Sequence, residues 1–197
     1  MKVHIVACGI FQLELERVLE EIKAEWGPTD EFNVTFTSSA LHVDSDKLKA
    51  GITEALDFVT EEKKVLFFGS MCHPDLSEFT ERYHVSKQKP RNCIDLILGM
   101  DRLKESESSL NVFYLTPGWL HNWQSIFKQG QGWDEIDARQ NFGFYDKVVL
   151  LDTGVSDLKE EDILEFFEYT QVPIEIERVE LGAFKEYVVE TLKQALV

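Results

Sequence analysis

Cysteine is scarce in this chain: three in 197 residues, one each in VACGI, GSMCHPD and PRNCIDL. So small and odd a number excludes a disulfide framework and leaves core packing, thiol redox chemistry or metal ligation as uses for the sulfurs. Positive charge is scarce as well. Lys and Arg number 20 against 36 Asp and Glu, for a formal charge of −16. A surface so acidic repels a phosphate backbone, which excludes nucleic acid and makes an anionic membrane a poor partner. No run of about eighteen apolar residues occurs, and the opening MKVHIVACGIFQLELE lacks the apolar stretch and small-residue cleavage site of a secretory signal. The expectation is a cytoplasmic protein with no membrane span. G-x-G-x-x-G, a Walker loop and G-x-S-x-G are all missing, which weakens dinucleotide binding, phosphoryl transfer and serine hydrolysis as functions. Low-complexity segments and fixed-period repeats are missing too.

What the chain does have is an alternation of short apolar runs with helical periodicity. KVHIVAC, residues 2 to 8, reads as a strand, and FQLELERVLEEIKAEW as an amphipathic helix closed by Gly27-Pro28. FNVTFTSSALH reads as a second strand, Asp44 as the cap of the helix DKLKAGITEALDFVTEE, KVLFFG as a third strand and CIDLILGMDRL as a helix. LNVFYLTPGW, KVVLLDTG and PIEIERVELG read as further strands, the first ending in a Pro-Gly turn. HNWQSIFKQ, LKEEDILEFFEYT (with Asp157 as its cap) and FKEYVVETLKQALV read as helices, while QGQGWDEIDARQNFGFYD has no clear period. This pattern predicts an α/β fold, a mostly parallel sheet with helices on both faces in a three-layer, Rossmann-like arrangement. Residues 1–197 form a single domain on this reading, with two lobes, 1–106 and 107–197, joined through ESESS as the alternative.

Ligands of an open parallel sheet bind beyond the carboxyl ends of its strands. Cys8 ends the first strand, His42 the second, and Cys72 and His73 follow the third, while Cys93 opens a helix, where a thiol's pKa is expected to be lowered. Three thiolates meeting at one point would select zinc or an iron–sulfur cluster, with His42 or His73 as a fourth ligand. The competing reading makes the cysteines buried small hydrophobes and the histidines local hydrogen-bonding groups. Thr116-Pro117-Gly118-Trp119 reads either as a rigid turn or, through Thr116, Gly118 and Trp119, as part of a ligand-binding wall beside the site. Arg91 and Asp95 form a pair that orients the loop before Cys93. No catalytic residue can be named.

The combination ACGIFQLELE, SALH, GSMCHPDL, KPRNCIDLILGMDRL, YLTPGW and FGFYDKVVLLDTG resembles the family called domain of unknown function 1638, over most of the chain and in the same order. In such sequences the cysteines at the positions of Cys8, Cys72 and Cys93, the histidine at His42 and the TPGW segment belong to recurrent motifs. Departures are Cys72-His73 in place of Cys-Gly, and Arg91-Asn92-Cys93 in place of His-Asp-Cys, which removes one histidine. The resemblance implies a cytoplasmic protein often encoded beside corrinoid-dependent methyltransferases. From it follows the expectation of a metal-binding protein linked to corrinoid-dependent methyl metabolism, with a methyltransferase or corrinoid protein as partner. The alternatives are a non-catalytic accessory protein docking on such a partner through its acidic surface, or a thiol redox protein.

Overall fold

The computed structural model describes residues 2–27, 31–60, 63–85, 89–99 and 110–196. In the first half, β1 (Lys2–Cys8) lies between β2 (Glu31–Thr37) and β3 (Lys64–Phe67), and both neighbours pair with it in parallel. Val3 through Cys8 are all buried. A central strand covered on both faces has no solvent side to mark with polar residues, which is why KVHIVAC is nearly continuous in apolar character. α1 (Gln12–Trp26) carries the chain out to β2, burying Leu15, Val18, Leu19 and Ile22, and ends at Gly27 with φ +88°. α2 (Ser45–Phe58) then crosses back past β1 to β3. As predicted, it is capped by the Asp44 carboxylate, which accepts the Lys47 N–H at 3.0 Å. The direction of winding therefore reverses between β1 and β3, and at such a point the two outgoing loops separate and leave a crevice.

The second half forms another parallel sheet, ordered β4 (Val112–Leu115), β5 (Lys147–Asp152), β6 (Ile174–Arg178). The α/β expectation holds, with the strands divided between two three-stranded sheets flanked by helices. Helices α3 (Leu76–Arg82) and α4 (Cys93–Leu98) follow β3. α5 (Pro117–Trp123) follows β4 and runs on as a π-helix over Gln124–Gly130, then come α6 (Glu135–Phe142) and α7 (Glu160–Thr170). The closing helix α8 (Gly182–Leu196) returns to the first sheet. Phe184, Val188 and Leu192, at i, i+4 and i+8 on one face, are fully buried there, and the Phe184 ring meets Phe11 edge-on at 6.0 Å. A second tie between the halves is a buried hydrogen bond from the Thr153 hydroxyl, just past β5, to Glu14 Oε1 of α1 at 3.0 Å. Glu14 Oε2 has no partner among the described residues, and burial raises the Glu14 pKa.

Several local readings need correction. The strand read through SSALH stops at Thr37. The Ser38 hydroxyl accepts the Ala40 N–H and turns the chain into a 3-10 helix over Ser39–Val43. Thr-Pro-Gly is not a turn: Thr116 is an N-cap whose hydroxyl accepts the Trp119 N–H, and Pro117 occupies the first helical position, where its missing N–H costs nothing. The unassigned QGQGWDEIDARQNFGFYD holds α6, started by a capping box between Asp134 and Asp137. Asp157 does not cap α7, which begins at Glu160 after Lys159. The helix from Cys93 ends at Gly99 with φ +80°. The ESESS segment lies outside the described residues. No helix among the described residues is long and apolar enough to cross a membrane.

Candidate metal centre

The crevice between β1 and β3 is where the chain puts its sulfur. Cys8 is the last residue of β1 and Cys72 sits in the loop after β3. Cys93 is brought to the same place by backbone. The Ser70 N–H donates to the Pro90 carbonyl at 2.8 Å and the Met71 N–H to the Arg91 carbonyl at 2.9 Å, so the loops before Cys72 and before Cys93 are zipped together. Gly69 allows this approach, since a Cβ there would overlap the backbone of Arg91 and Asn92. The second loop is itself pinned. Asn92 Oδ1 caps α4 by accepting the N–H groups of Ile94 and Asp95, at 3.0 and 2.9 Å. Asp95, 2% exposed, accepts from Arg91 Nε at 2.7 Å, Nη2 at 3.1 Å and backbone N at 2.9 Å. Burial works to raise the Asp95 pKa, but its bonds to Arg91 outweigh that and hold it below the usual carboxylate range. This pair orients the loop, as its spacing suggests.

The three thiols lie within electrostatic reach of one another. Negative charge on Cys93 or on Cys72 raises the pKa of Cys8, and charge on Cys72 raises that of Cys93. Burial is the larger cause in each case: it raises Cys8 and Cys72 and pushes Cys93 up to about 12. The lowered pKa expected for Cys93 at a helix start is therefore not found, because desolvation exceeds what the local N–H groups return. Nearby backbone groups work against burial, those of Ile10 at Cys8, Gly69 at Cys72, and Cys93 and Ile94 at Cys93. The Trp119 indole N–H donates to Cys93 Sγ at 3.5 Å. All three cysteines are unpaired with one another, and among the described residues no three His, Cys, Asp or Glu side chains already stand in a ligand cage.

α5 brings the aromatic wall. Gly118 packs its Cα against the Ile10 carbonyl of the loop after β1, so closely that no Cβ fits between them. Thr116 and Gly118 thereby fix Trp119, whose ring stacks on Phe127 at 5.8 Å and receives His42 edge-on at 5.0 Å. Trp119, His42, Cys93, Phe113 and Tyr114 face a cavity of about 350 Å³. Burial lowers the His42 pKa, so its imidazole is neutral at pH 7. His73 is occupied elsewhere: it is buried, its Nδ1 accepts the Asp75 N–H at 3.0 Å, and its ring meets Phe79 at 6.2 Å. Sequence reasoning did not assign Asn92 a role, although an Asn just before an apolar helical run is a cap signal.

Residues 36–188 match the family model described as "Protein of unknown function (DUF1638)". The chain belongs to the DUF1638 family. His42, Cys72, Cys93 and Trp119 fall inside the span that defines DUF1638 here, while Cys8 and Glu14 precede it. No curated protein and no solved structure matches the chain.

Proposed function

We propose that Cys8, Cys72 and Cys93 are the thiolate ligands of one metal centre, zinc or an iron–sulfur cluster, and that this centre is the working part of the protein. The observation that carries the reading is that Cys8 ends β1, Cys72 follows β3 and Cys93 opens α4 beside the same topological switch point, with the loops before Cys72 and Cys93 joined by backbone hydrogen bonds. The Trp119 indole donates to Cys93 Sγ, and such a hydrogen bond spreads the charge of a thiolate ligand that burial penalises. In a metal-free crevice the same burial keeps the thiols protonated; a divalent cation reverses that balance, and binding releases their protons.

Three thiolates leave a fourth position on zinc, or one iron of a four-iron cluster, without a cysteine. His42 shares the cavity with Cys93 and Trp119 and is the histidine of the pair with no hydrogen bond to its ring among the described residues. With that position filled by His42 the centre is structural; left open toward the cavity, it acts as a Lewis acid on a bound ligand. The corrinoid-linked methyl transfer suggested by the family resemblance is the reaction class to test on the open form.

The test is elemental analysis, with near-ultraviolet and visible absorption, of protein purified anaerobically beside its Cys8→Ser, Cys72→Ser and Cys93→Ser variants. About one zinc or one cluster per chain is expected in the wild type, with a large loss in each variant. A metal-free wild type, or metal content indifferent to all three substitutions, overturns the proposal.

A further inference from the structure

The cavity beside Cys93 carries an inference that goes beyond the metal centre and does not need it. Its walls are aromatic and apolar: Trp119, Phe113, Tyr114, Val112 and Ile94. Its polar fringe is made by His42, Arg91 and Asn92, and the last two present donors. Asn92 Oδ1 is committed to the two N–H groups of α4, which turns the Nδ2 amide away from the helix with no partner among the described residues. Arg91 spends Nε and Nη2 on Asp95, leaving Nη1 without a partner there. No Asp or Glu is among the described residues lining this cavity, although the chain holds 36 of them against 20 Lys and Arg. The one carboxylate close by, Asp95, is nearly fully buried and engaged by Arg91. An apolar slot fringed by N–H donors and cleared of carboxylates, in so acidic a protein, is complementary to negative charge on an apolar body.

We propose that this cavity binds a small organic carboxylate with a planar apolar body, its ring against the wall that Trp119 and Phe113 form by meeting edge-on at 6.1 Å, and its carboxylate on Asn92 Nδ2 and Arg91 Nη1. At about 350 Å³ the space is near the lower end of ligand sites and suits a body of roughly two fused rings.

The experiment is calorimetric titration of chelator-treated, metal-free protein with 1-naphthoate, with the neutral 1-naphthylmethanol and with the cationic 1-naphthylmethylamine. Naphthoate is expected to bind at least about tenfold more tightly than the alcohol, the amine more weakly still, since a charge-assisted hydrogen bond contributes more than a neutral one. Asn92→Asp keeps the helix cap, because Asp caps as well as Asn, but replaces the amide donor with a second negative oxygen. It is expected to lose about tenfold or more in naphthoate affinity with thermal unfolding unchanged. Absence of naphthoate binding, equal or tighter binding of the alcohol or the amine, or an Asn92→Asp variant that binds as the wild type does, would each overturn the assignment. Failure of the metal proposal reads out separately, in metal content, and leaves naphthoate binding by the Cys8→Ser and Cys72→Ser variants, whose residues do not line the cavity, intact.

Discussion

Replacing Gly118 by Ala sets two effects of opposite sign against each other, and the structure decides between them. Gly118 is helical, with no positive φ. At an ordinary helical position Gly→Ala stabilises by up to about 1 kcal/mol, because alanine loses less backbone entropy. Here the added methyl would lie within the van der Waals envelope of the Ile10 carbonyl, 2.7 Å from its carbon. The obstacle is backbone on both sides, so no rotamer change relieves it. α5 must instead move away from the loop after β1, an overpacking cost of about 3 kcal/mol or more. The net expectation is destabilisation by about 2 kcal/mol, read as a fall in melting temperature of about 4–8 °C for a chain of this size. The same displacement carries Trp119 from Cys93, so tryptophan fluorescence of the folded variant should shift as well. Urea unfolding of wild type and variant measures the first effect and emission spectra in buffer the second. A Gly118→Ala protein as stable as the wild type, or more stable, refutes the close approach of α5 to the β1 loop and with it the account of how Trp119 is placed.

Two further outcomes follow from buried titrating groups. Burial holds the Glu14 pKa above its ordinary 4.5 in the folded protein, so its contribution to stability is complete below that pH and is lost as pH rises through the folded value. Glu14→Gln removes this dependence while keeping the acceptor for Thr153. Near pH 4.5 it should match the wild type, and near pH 8 it should exceed it by about 1–3 kcal/mol in urea unfolding; a difference that does not grow with pH would count against a raised Glu14 pKa. In chelator-treated protein the Cys93 thiol, pushed from 9.0 up to about 12, should alkylate with iodoacetamide roughly 1000-fold more slowly than in urea-unfolded protein, because only the thiolate reacts. Similar rates, resolved by peptide mapping, would show that the thiol is neither desolvated nor protonated as described.

The strands were legible in the sequence where burial on both faces writes itself as apolar character, as in β1 and β5, and α1 and α2 where apolar residues recur on one face. Division into two sheets was not, because no local pattern says that β4 pairs with β5 rather than beside β3. Thr116-Pro117-Gly118 misled for a local reason: Pro-Gly is a turn signal, yet Pro is equally suited to the first position of a helix behind a Thr cap, and the glycine answers to Ile10, more than a hundred residues earlier. SSALH misled because its alternation of polar and apolar residues also suits a 3-10 turn led by a serine hydroxyl. That Cys8 ends a strand, Cys72 follows another and Cys93 opens a helix was readable from the apolar runs around them. Their protonation was not, since desolvation depends on everything packed around a sulfur and only the helix start is visible in sequence.

The zipper between the loops before Cys72 and Cys93 has a thermodynamic corollary. Ordering two chain segments around an incoming ion is the step that makes most nascent binding sites weak. Here Ser70, Met71, Pro90 and Arg91 complete that step during folding, and Cys8 is anchored by strand pairing. If the proposed metal centre forms, its affinity should therefore depend on the stability of the surrounding fold more than on any loop closing around the ion.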